Sequence, residues 1–317
     1  MPADLTSLSI DEIRARYVDG GKPVPTRLLT KLKRDPRQGI RKLYEVLKKR
    51  HDREREERLR IDAMLNFERL LWSSGVRHVA GVDEVGMGPL AGPVIAAAVV
   101  FSPGTEILGV DDSKRVDPER RRELAREIRE RALGIGIGRA EVDEIDRLNI
   151  YQAGRLAMRR AIDALPMRPD HVLVDARSIP EFAGPQNPFH KGDGINFSIA
   201  AASIVAKTHR DALMEELEAA YPGYGFAHHK GYCTAEHQDA VRRLGPCAVH
   251  RMSFQFIREL CGEFSELFYA LKRELACVAA AAELKGFEQT LETRWTELAD
   301  SEQRKLRVMV TRRWKTV

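Results

Sequence analysis

Two short apolar runs that each end on a carboxylate do most to restrict how this chain can fold. They are Val79 to Asp83 (VAGVD) and His171 to Asp175 (HVLVD). A short apolar run closed by acids or turn residues reads as a buried strand. Val94 to Phe101 (VIAAAVVF) is another such run, placed after a glycine-rich turn. Leu133 to Arg139 (LGIGIGR) alternates glycine with apolar residues and suits a further strand. Helical stretches lie between them. Pro118 to Arg131 is charged and amphipathic, Asn149 to Leu165 reads as a second helix, and Ser198 to Tyr221 as a long third one, rich in small residues at first. Strands alternating with helices predict an α/β sheet.

The flanks have a different composition. Residues 1–78 are rich in charge and poor in glycine, and Lys48 to Arg60 (KKRHDREREERLR) interleaves both signs as a solvated helix does. Leu28, Leu29, Leu32, Ile40, Leu43 and Leu47 form a broken apolar stripe before it. Asp35-Pro36 reads as a helix start, with the acid as cap and proline in the first helical position. Two or three helices are expected here, as a structural or partner-facing extension. Residues 263–317 read as helical too: Ala276 to Leu284 is alanine-rich, Glu288, Glu292 and Glu297 mark an acidic stretch, and Arg304 to Lys315 is basic and holds Trp314. With breaks at Gly75 and Gly262, the expected zones are 1–76, 77–262 and 263–317.

Composition excludes several classes. At 317 residues and 43% hydrophobic content, the chain can build a core as one large domain with appendages, or as two domains. No apolar run is long enough to span a bilayer. The opening MPADLTSLSIDEIRARY carries early acids and lacks the basic-then-apolar order of a secretory signal. Cys233, Cys247, Cys261 and Cys277 form no CxxC pair, so neither a zinc site nor a disulfide framework is expected, and a reducing cytoplasm is the expected setting. No GxxxxGK(S/T) pattern marks a phosphate-binding NTPase. The net charge of +5 hints at a polyanionic partner. Counted by zone it is about +7 for 1–78, about −3 for 79–262 and about +1 for 263–317. Any extra electrostatic grip therefore belongs to the extensions.

The acids carry the chemistry. In open α/β sheets, ligands sit beyond the carboxyl ends of strands. Asp83 and Asp175 each end a candidate strand, Glu84 follows Asp83, and Asp193 (Lys191-Gly-Asp193-Gly) precedes the long helix, whose N-terminus favours a carboxylate. Acids converging on one spot need cations, and oxygen-only ligands favour hard ions such as Mg²⁺ or Mn²⁺. A lone Asp at a strand end is more often a turn or helix cap than a ligand. Spacing alone does not bring them together, so the residues by themselves define only a candidate metal-dependent phosphoryl-transfer site.

A series of motifs extends this reading. Ala80-Gly-Val-Asp-Glu-Val-Gly-Met-Gly-Pro-Leu-Ala-Gly-Pro93 closely resembles the opening motif of type 2 ribonuclease H (ribonuclease HII). Asp112-Ser-Lys114, Glu144-Ile-Asp-Arg-Leu-Asn149, Val172-Leu-Val-Asp175 and Lys191-Gly-Asp193 follow in that family's order. So do Ser198-Ile-Ala-Ala-Ala-Ser-Ile-Val-Ala-Lys207, Tyr221-Pro-Gly-Tyr-Gly-Phe226, His229-Lys-Gly-Tyr232, and His250-Arg251 with Ser253-Phe254. The resemblance covers roughly residues 77–260. It implies a ribonuclease-H-like fold: a mixed five-stranded sheet, its first three strands antiparallel, flanked by helices. It also implies an endonuclease that cuts RNA in RNA·DNA hybrids and cuts 5′ to ribonucleotides embedded in DNA, leaving 3′-hydroxyl and 5′-phosphate ends. The family's four metal-binding, catalytic carboxylates match Asp83, Glu84, Asp175 and Asp193. The implied mechanism uses two divalent ions about 4 Å apart, one activating water and one stabilising the leaving 3′ oxygen.

Substrate-binding residues follow from the same resemblance. The family's Gly-Arg-Gly turn, which sets backbone groups against the 2′-hydroxyl, matches Gly86-Met87-Gly88. The tyrosine that stacks on the sugar after the ribonucleotide matches Tyr232. Ser113, Lys114, Lys207, Lys230 and Arg251 are candidate phosphate contacts. Met87 departs from the pattern, since methionine lacks the charged fork that arginine offers a phosphate. Weaker action on single ribonucleotides than on long hybrids is therefore expected. Two alternatives remain: a hybrid-specific nuclease like ribonuclease HIII, which usually carries a sheet-containing platform before its catalytic domain, and a non-catalytic nucleic-acid-binding scaffold, which the four intact carboxylates argue against. The extensions could recruit a replication or repair partner.

Overall fold

A computed structural model of the chain describes residues 9–262 and 264–316. The first eight residues of the acidic opening stretch, Glu263 at the start of the expected C-terminal zone, and Val317 lie outside the described residues. The chain forms two compact units. One comprises 1–87, 94–140 and 151–213, the other 88–93, 141–150 and 214–317.

After a short helical segment over Ile10–Ile13 and Arg14–Asp19, the first unit carries helices α1 (Thr26–Arg34), α2 (Gln38–Met64) and α3 (Asn66–Ser73). The leucine stripe is buried as expected: Leu28, Leu29, Leu32, Ile40, Leu43 and Leu47 share a small core with Ile13, Tyr17 and Val24. The expected helix start at Asp35-Pro36 is displaced. α2 begins at Gln38, because the Asp35 carboxylate instead accepts the Arg37 backbone N–H at 3.0 Å and the Arg37 Nε–H at 2.9 Å. That turn keeps the backbone extended through Arg37. The end of α2 joins the main core, where Ile61, Met64 and Leu65 pack with Ile95, Phe101 and Phe197.

The sheet has five strands in the order β3-β2-β1-β4-β5: β1 (Val79–Val85), β2 (Val94–Val100), β3 (Gly134–Ala140), β4 (His171–Asp175) and β5 (Gln186–Phe189). β1 and β3 each pair antiparallel with β2, while β4 is parallel to β1 and β5 parallel to β4. Between β2 and β3 runs α4 (Pro118–Arg131), followed later by α5 (Ile150–Asp163) and the long α6 (Phe197–Ala220). Close backbone approach explains the glycines. A Cβ on Gly81 of β1 would lie 2.1 Å from the Ser198 carbonyl carbon, and one on Gly138 of β3 would lie 1.9 Å from the Ala157 carbonyl oxygen. Helices α6 and α5 thus rest directly on strand backbone.

The second unit carries α7 (Ala235–Leu244), α8 (Gln255–Leu260) and the bundle α9 (Glu266–Cys277), α10 (Ala281–Thr293) and α11 (Asp300–Arg313). The bundle has its own core of Phe264, Phe268, Leu271, Leu284, Phe287 and Leu306, among others. Among the described residues no helix is long and apolar enough to cross a membrane.

Candidate active site

The register of the parallel pair answers the question that spacing leaves open. Val79 lies opposite His171 and Val82 opposite Val174, so the next step along both strands sets Asp83 beside Asp175. Glu84 follows, and one oxygen each from Asp83, Glu84 and Asp175 lies within 4.8 Å of the others. Asp83 is buried, and Glu84 and Asp175 are half-buried.

Each acid is held by its own neighbours. Asp83 Oδ1 accepts the Glu84 N–H at 2.8 Å, and Asp175 Oδ1 accepts the Gly192 N–H at 2.6 Å. Glu84 Oε2 is buried with no protein hydrogen-bond partner. Two non-glycine residues adopt left-handed backbone here, Ala176 at φ 57° and Lys191 at φ 56°. Such strain persists where surrounding structure enforces it, and both residues adjoin the acids.

Asp193 stands outside that 4.8 Å group, on a short 3₁₀ turn, Gly192–Gly194, and shares a cleft of about 330 Å³ with Asp175, Asp112 and Lys114. Its Oδ2 faces Lys114 Nζ at 3.4 Å. Asp193 stands just before the long helix, as expected, and another acid meets that helix's first N–H groups. Glu68 of α3, fully buried, accepts the Ser198 N–H at 2.8 Å, and Asn196 Oδ1 accepts the Ile199 N–H at 3.3 Å. Asp193 is four residues upstream of the first helical residue, out of reach of those donors.

The electrostatics are those of crowded, desolvated acids. Burial, then the charges of Glu84 and Asp175, pushes Asp83 well above the usual carboxylate range. Burial and Asp175 push Glu84 up to about 7. Asp193 is raised by burial and by Asp112. At Lys114, burial works against the charge, but Asp112, Asp193 and Asp83 outweigh it and raise the ammonium above its usual range. Asp112 is thus a further acid at the cleft, and its only sequence signal was its place at the head of the Asp-Ser-Lys motif.

The expected substrate contacts divide. Gly86 is buried, Met87 half-buried and Gly88 exposed. The Met87 thioether lies on α5, its sulfur 2.9 Å from where a Cβ on Gly154 would be. Tyr232 is 41% exposed, and its ring edge lies 3.9 Å from where a Cβ on Gly88 would be. Lys114 is open to solvent, whereas Lys207 is paired to Asp211 at 2.6 Å and Lys230 to Glu215 at 2.7 Å. Two expectations are corrected. Ser113 is buried and accepts the Ser203 hydroxyl at 2.9 Å. Arg251 is fully buried and donates its Nε–H to the Gly92 carbonyl at 2.9 Å. Both serve the interior and are closed to a phosphate.

Comparison with known proteins identifies the family of the chain. A family model described as ribonuclease HII matches residues 80–257, and one described as ribonuclease HII N-terminal domain matches 9–72. A ribonuclease HII of Anaeromyxobacter sp. (strain Fw109-5) is 50% identical over 261 residues, 82% of this chain and 83% of the relative. The chain belongs to the ribonuclease HII family. A ribonuclease HII from Myxococcus xanthus (strain DK1622) is likewise 50% identical, over 81% of this chain and 88% of its own length. The crystal structure of the ribonuclease H2 from Pyrococcus horikoshii OT3 superposes with a TM-score of 0.51 at 24% identity, covering 58% of this chain and 96% of that one. It supports the ribonuclease-H-like fold. As a member of that family the chain is an endoribonuclease of the H type, a phosphodiester hydrolase.

Proposed function

We propose that this ribonuclease HII cuts the RNA strand of RNA·DNA hybrids and cuts 5′ to ribonucleotides embedded in duplex DNA, leaving 3′-hydroxyl and 5′-phosphate ends. The observation that carries the reading is the meeting of Asp83, Glu84 and Asp175 within 4.8 Å. The donor set fits divalent cations. It is all oxygen, it holds a buried carboxylate oxygen without a partner on Glu84, and burial together with the neighbouring carboxylate charges raises Asp83 and Glu84, a repulsion that a cation would relieve. Asp83, Glu84 and Asp175 would hold the ions, with Asp193 at the edge of the same cleft, and Mg²⁺ or Mn²⁺ suits such ligands. Bound ions supply activation of water and neutralisation of charge at the scissile phosphate.

The chain's own residues supply the rest. The strands fix the acids on rigid backbone, which gives the positioning that in-line transfer requires. Lys114 sets a cation at the mouth of the cleft, suited to a backbone phosphate. Gly86 and Gly88 let backbone approach the 2′-hydroxyl, the group that distinguishes RNA from DNA. The exposed ring of Tyr232 offers a face to a sugar.

A second reading rests on Met87. Its side chain is neutral and folded onto Gly154, which favours long hybrids over single ribonucleotides. The helical N-terminal zone, with no strand before Val79 among the described residues, sets the chain apart from a nuclease with a sheet-containing platform. We keep the three zones 1–76, 77–262 and 263–317 as a functional division, the outer two being surfaces for a replication or repair partner. Four free thiols suit a cytoplasmic setting. Cleavage of matched duplexes, one with a single ribonucleotide and one with a full RNA strand, tests the reading. No cutting of either with Mg²⁺ or Mn²⁺ would overturn it.

A further inference from the structure

Three histidines of the second unit are buried in one aromatic cluster. His229, His237 and His250 are 7%, 0% and 1% exposed. The rings of His229 and His237 stack with centroids 4.4 Å apart, and Phe226 meets His237 edge-on at 5.5 Å. None of the three is an acid-cluster residue, and nothing in the proposed chemistry uses them.

Their hydrogen bonds have a determined direction. His237 Nδ1 lies 2.9 Å from the Tyr232 carbonyl oxygen, which can only accept, so Nδ1 carries the proton. In the neutral ring Nε2 is then an acceptor. It faces His250 Nε2 at 3.1 Å, so His250 must donate from Nε2. His250 Nδ1 is left as an acceptor, and it receives the Cys247 backbone N–H at 2.9 Å. The chain of donors therefore runs one way, from Cys247 through His250 and His237 to the carbonyl of Tyr232.

This chain of hydrogen bonds ends on the Tyr232 carbonyl. At its far end, His250 bridges Ala91, Gly92 donates its N–H to Val249 and Arg251 donates its own to Leu90. Leu90 in turn donates to Gly231. The segment Gly88–Pro93, which begins with the last glycine of the turn, is thus clamped between the histidine segment and the Tyr232 segment. The Tyr232 backbone is held on both sides, its N–H by the His229 carbonyl and its C=O by Thr234 and His237.

We infer that His237 and His250 are positioning residues that fix the Tyr232 ring in register with Gly88, and that they thereby set how well a ribonucleotide-to-DNA junction is recognised. The inference rests on the proposed role of Tyr232. Loss of the His237 bond leaves the carbonyl to the Thr234 N–H alone and loosens the tyrosine backbone, while the acids keep their geometry. The effect falls on binding of the junction and not on the chemical step.

The test uses the full chain, Mg²⁺, and two substrates: a duplex with one ribonucleotide and a fully hybrid duplex. Tyr232→Ala examines the underlying reading, and equal KM for both substrates before and after that change would remove it whatever the histidines do. With that reading intact, His237→Leu should raise KM for the single-ribonucleotide duplex about tenfold, the scale of one buried hydrogen bond. kcat should stay within about twofold. His237→Asn, which keeps a donor near the Nδ1 position, should recover most of the loss. On the Tyr232→Ala background His237→Leu should add nothing. An unchanged KM in His237→Leu, or a loss that Asn does not recover, overturns the inference. Should the leucine variant fail to fold, ¹⁵N spectra of the unaltered protein decide. The inference requires the Nδ1–H tautomer at His237 and Nε2–H at His250, and the opposite pair contradicts it.

Discussion

The Glu68 carboxylate in α3 accepts the backbone N–H of Ser198 at 2.8 Å, so an acid of the N-terminal zone closes the first turn of the long helix beside the catalytic sheet. Four N–H groups open any helix without partners inside it, and here a buried one is answered by a residue 130 positions earlier. The N-terminal zone is therefore part of what holds α6 in place. Glu68→Ala leaves that buried donor unsatisfied and should cost about 1–3 kcal/mol in urea unfolding. Glu68→Gln keeps an acceptor and should cost less. Equal stability of Glu68→Ala and the parent would remove this role.

The acid cluster makes stability depend on pH in a definite direction. Glu84 has an ordinary carboxyl value of 4.5 when unfolded and about 7 when folded. Between those values the folded state binds the extra proton, so unfolding free energy falls as pH rises and levels off above about 7. In EDTA the protein should lose stability across this window, and Glu84→Gln should lose less. Divalent ions should remove most of the decline, because they take the place of the proton. Melting curves at pH 5, 6, 7 and 8, with and without Mg²⁺, read this out. A rising profile in EDTA that Glu84→Gln leaves unchanged would contradict the account.

Much of this was legible in the chain, for reasons that differ by residue. β1, β2 and β4 showed as apolar runs, β3 as glycine alternating with apolar residues, and the three helices between them as longer stretches. β5 did not, because Gln186–Phe189 is a four-residue edge strand containing Pro188, which carries no alternation. The acids were legible as strand-end residues, but their meeting was not, since it depends on the register that sets Asp83 beside Asp175. Motif membership told that Ser113 and Arg251 matter without telling which way they face, and burial assigned both to the interior. The capping of the long helix by Glu68 was not legible, because its partner Ser198 is too distant in sequence for any local pattern to reveal.

Met87→Arg restores a phosphate-binding fork to the glycine turn. It should improve cleavage at a single ribonucleotide by about 1–3 kcal/mol in kcat/KM, and long hybrids by less. The side chain must leave its bed on Gly154, so the gain should survive Gly154→Ala, whereas Gly154→Ala alone displaces the Met87 sulfur. No gain at the single-ribonucleotide substrate in Met87→Arg would end this explanation of the departure.

Part of the basic C-terminal stretch is committed within its own bundle. Arg307 lies over the Trp295 ring at 4.7 Å, Trp314 donates to Glu288 at 3.0 Å, and Arg313 donates to the Val278 carbonyl at 2.9 Å. Truncation after residue 262 should therefore leave the salt dependence of duplex binding within about one phosphate contact of the parent. A slope lower by several contacts would show the bundle gripping the backbone.

The most direct measurement is cleavage of a duplex containing one ribonucleotide, with Mg²⁺ and Mn²⁺ compared, product ends mapped, and Asp83→Asn run alongside. The account predicts a single cut 5′ to the ribonucleotide, a 3′-hydroxyl and a 5′-phosphate, strict dependence on the added ion, and loss of cutting in Asp83→Asn. Undiminished cutting by Asp83→Asn, or cutting in EDTA, would contradict the assignment of the carboxylate cluster as the active site.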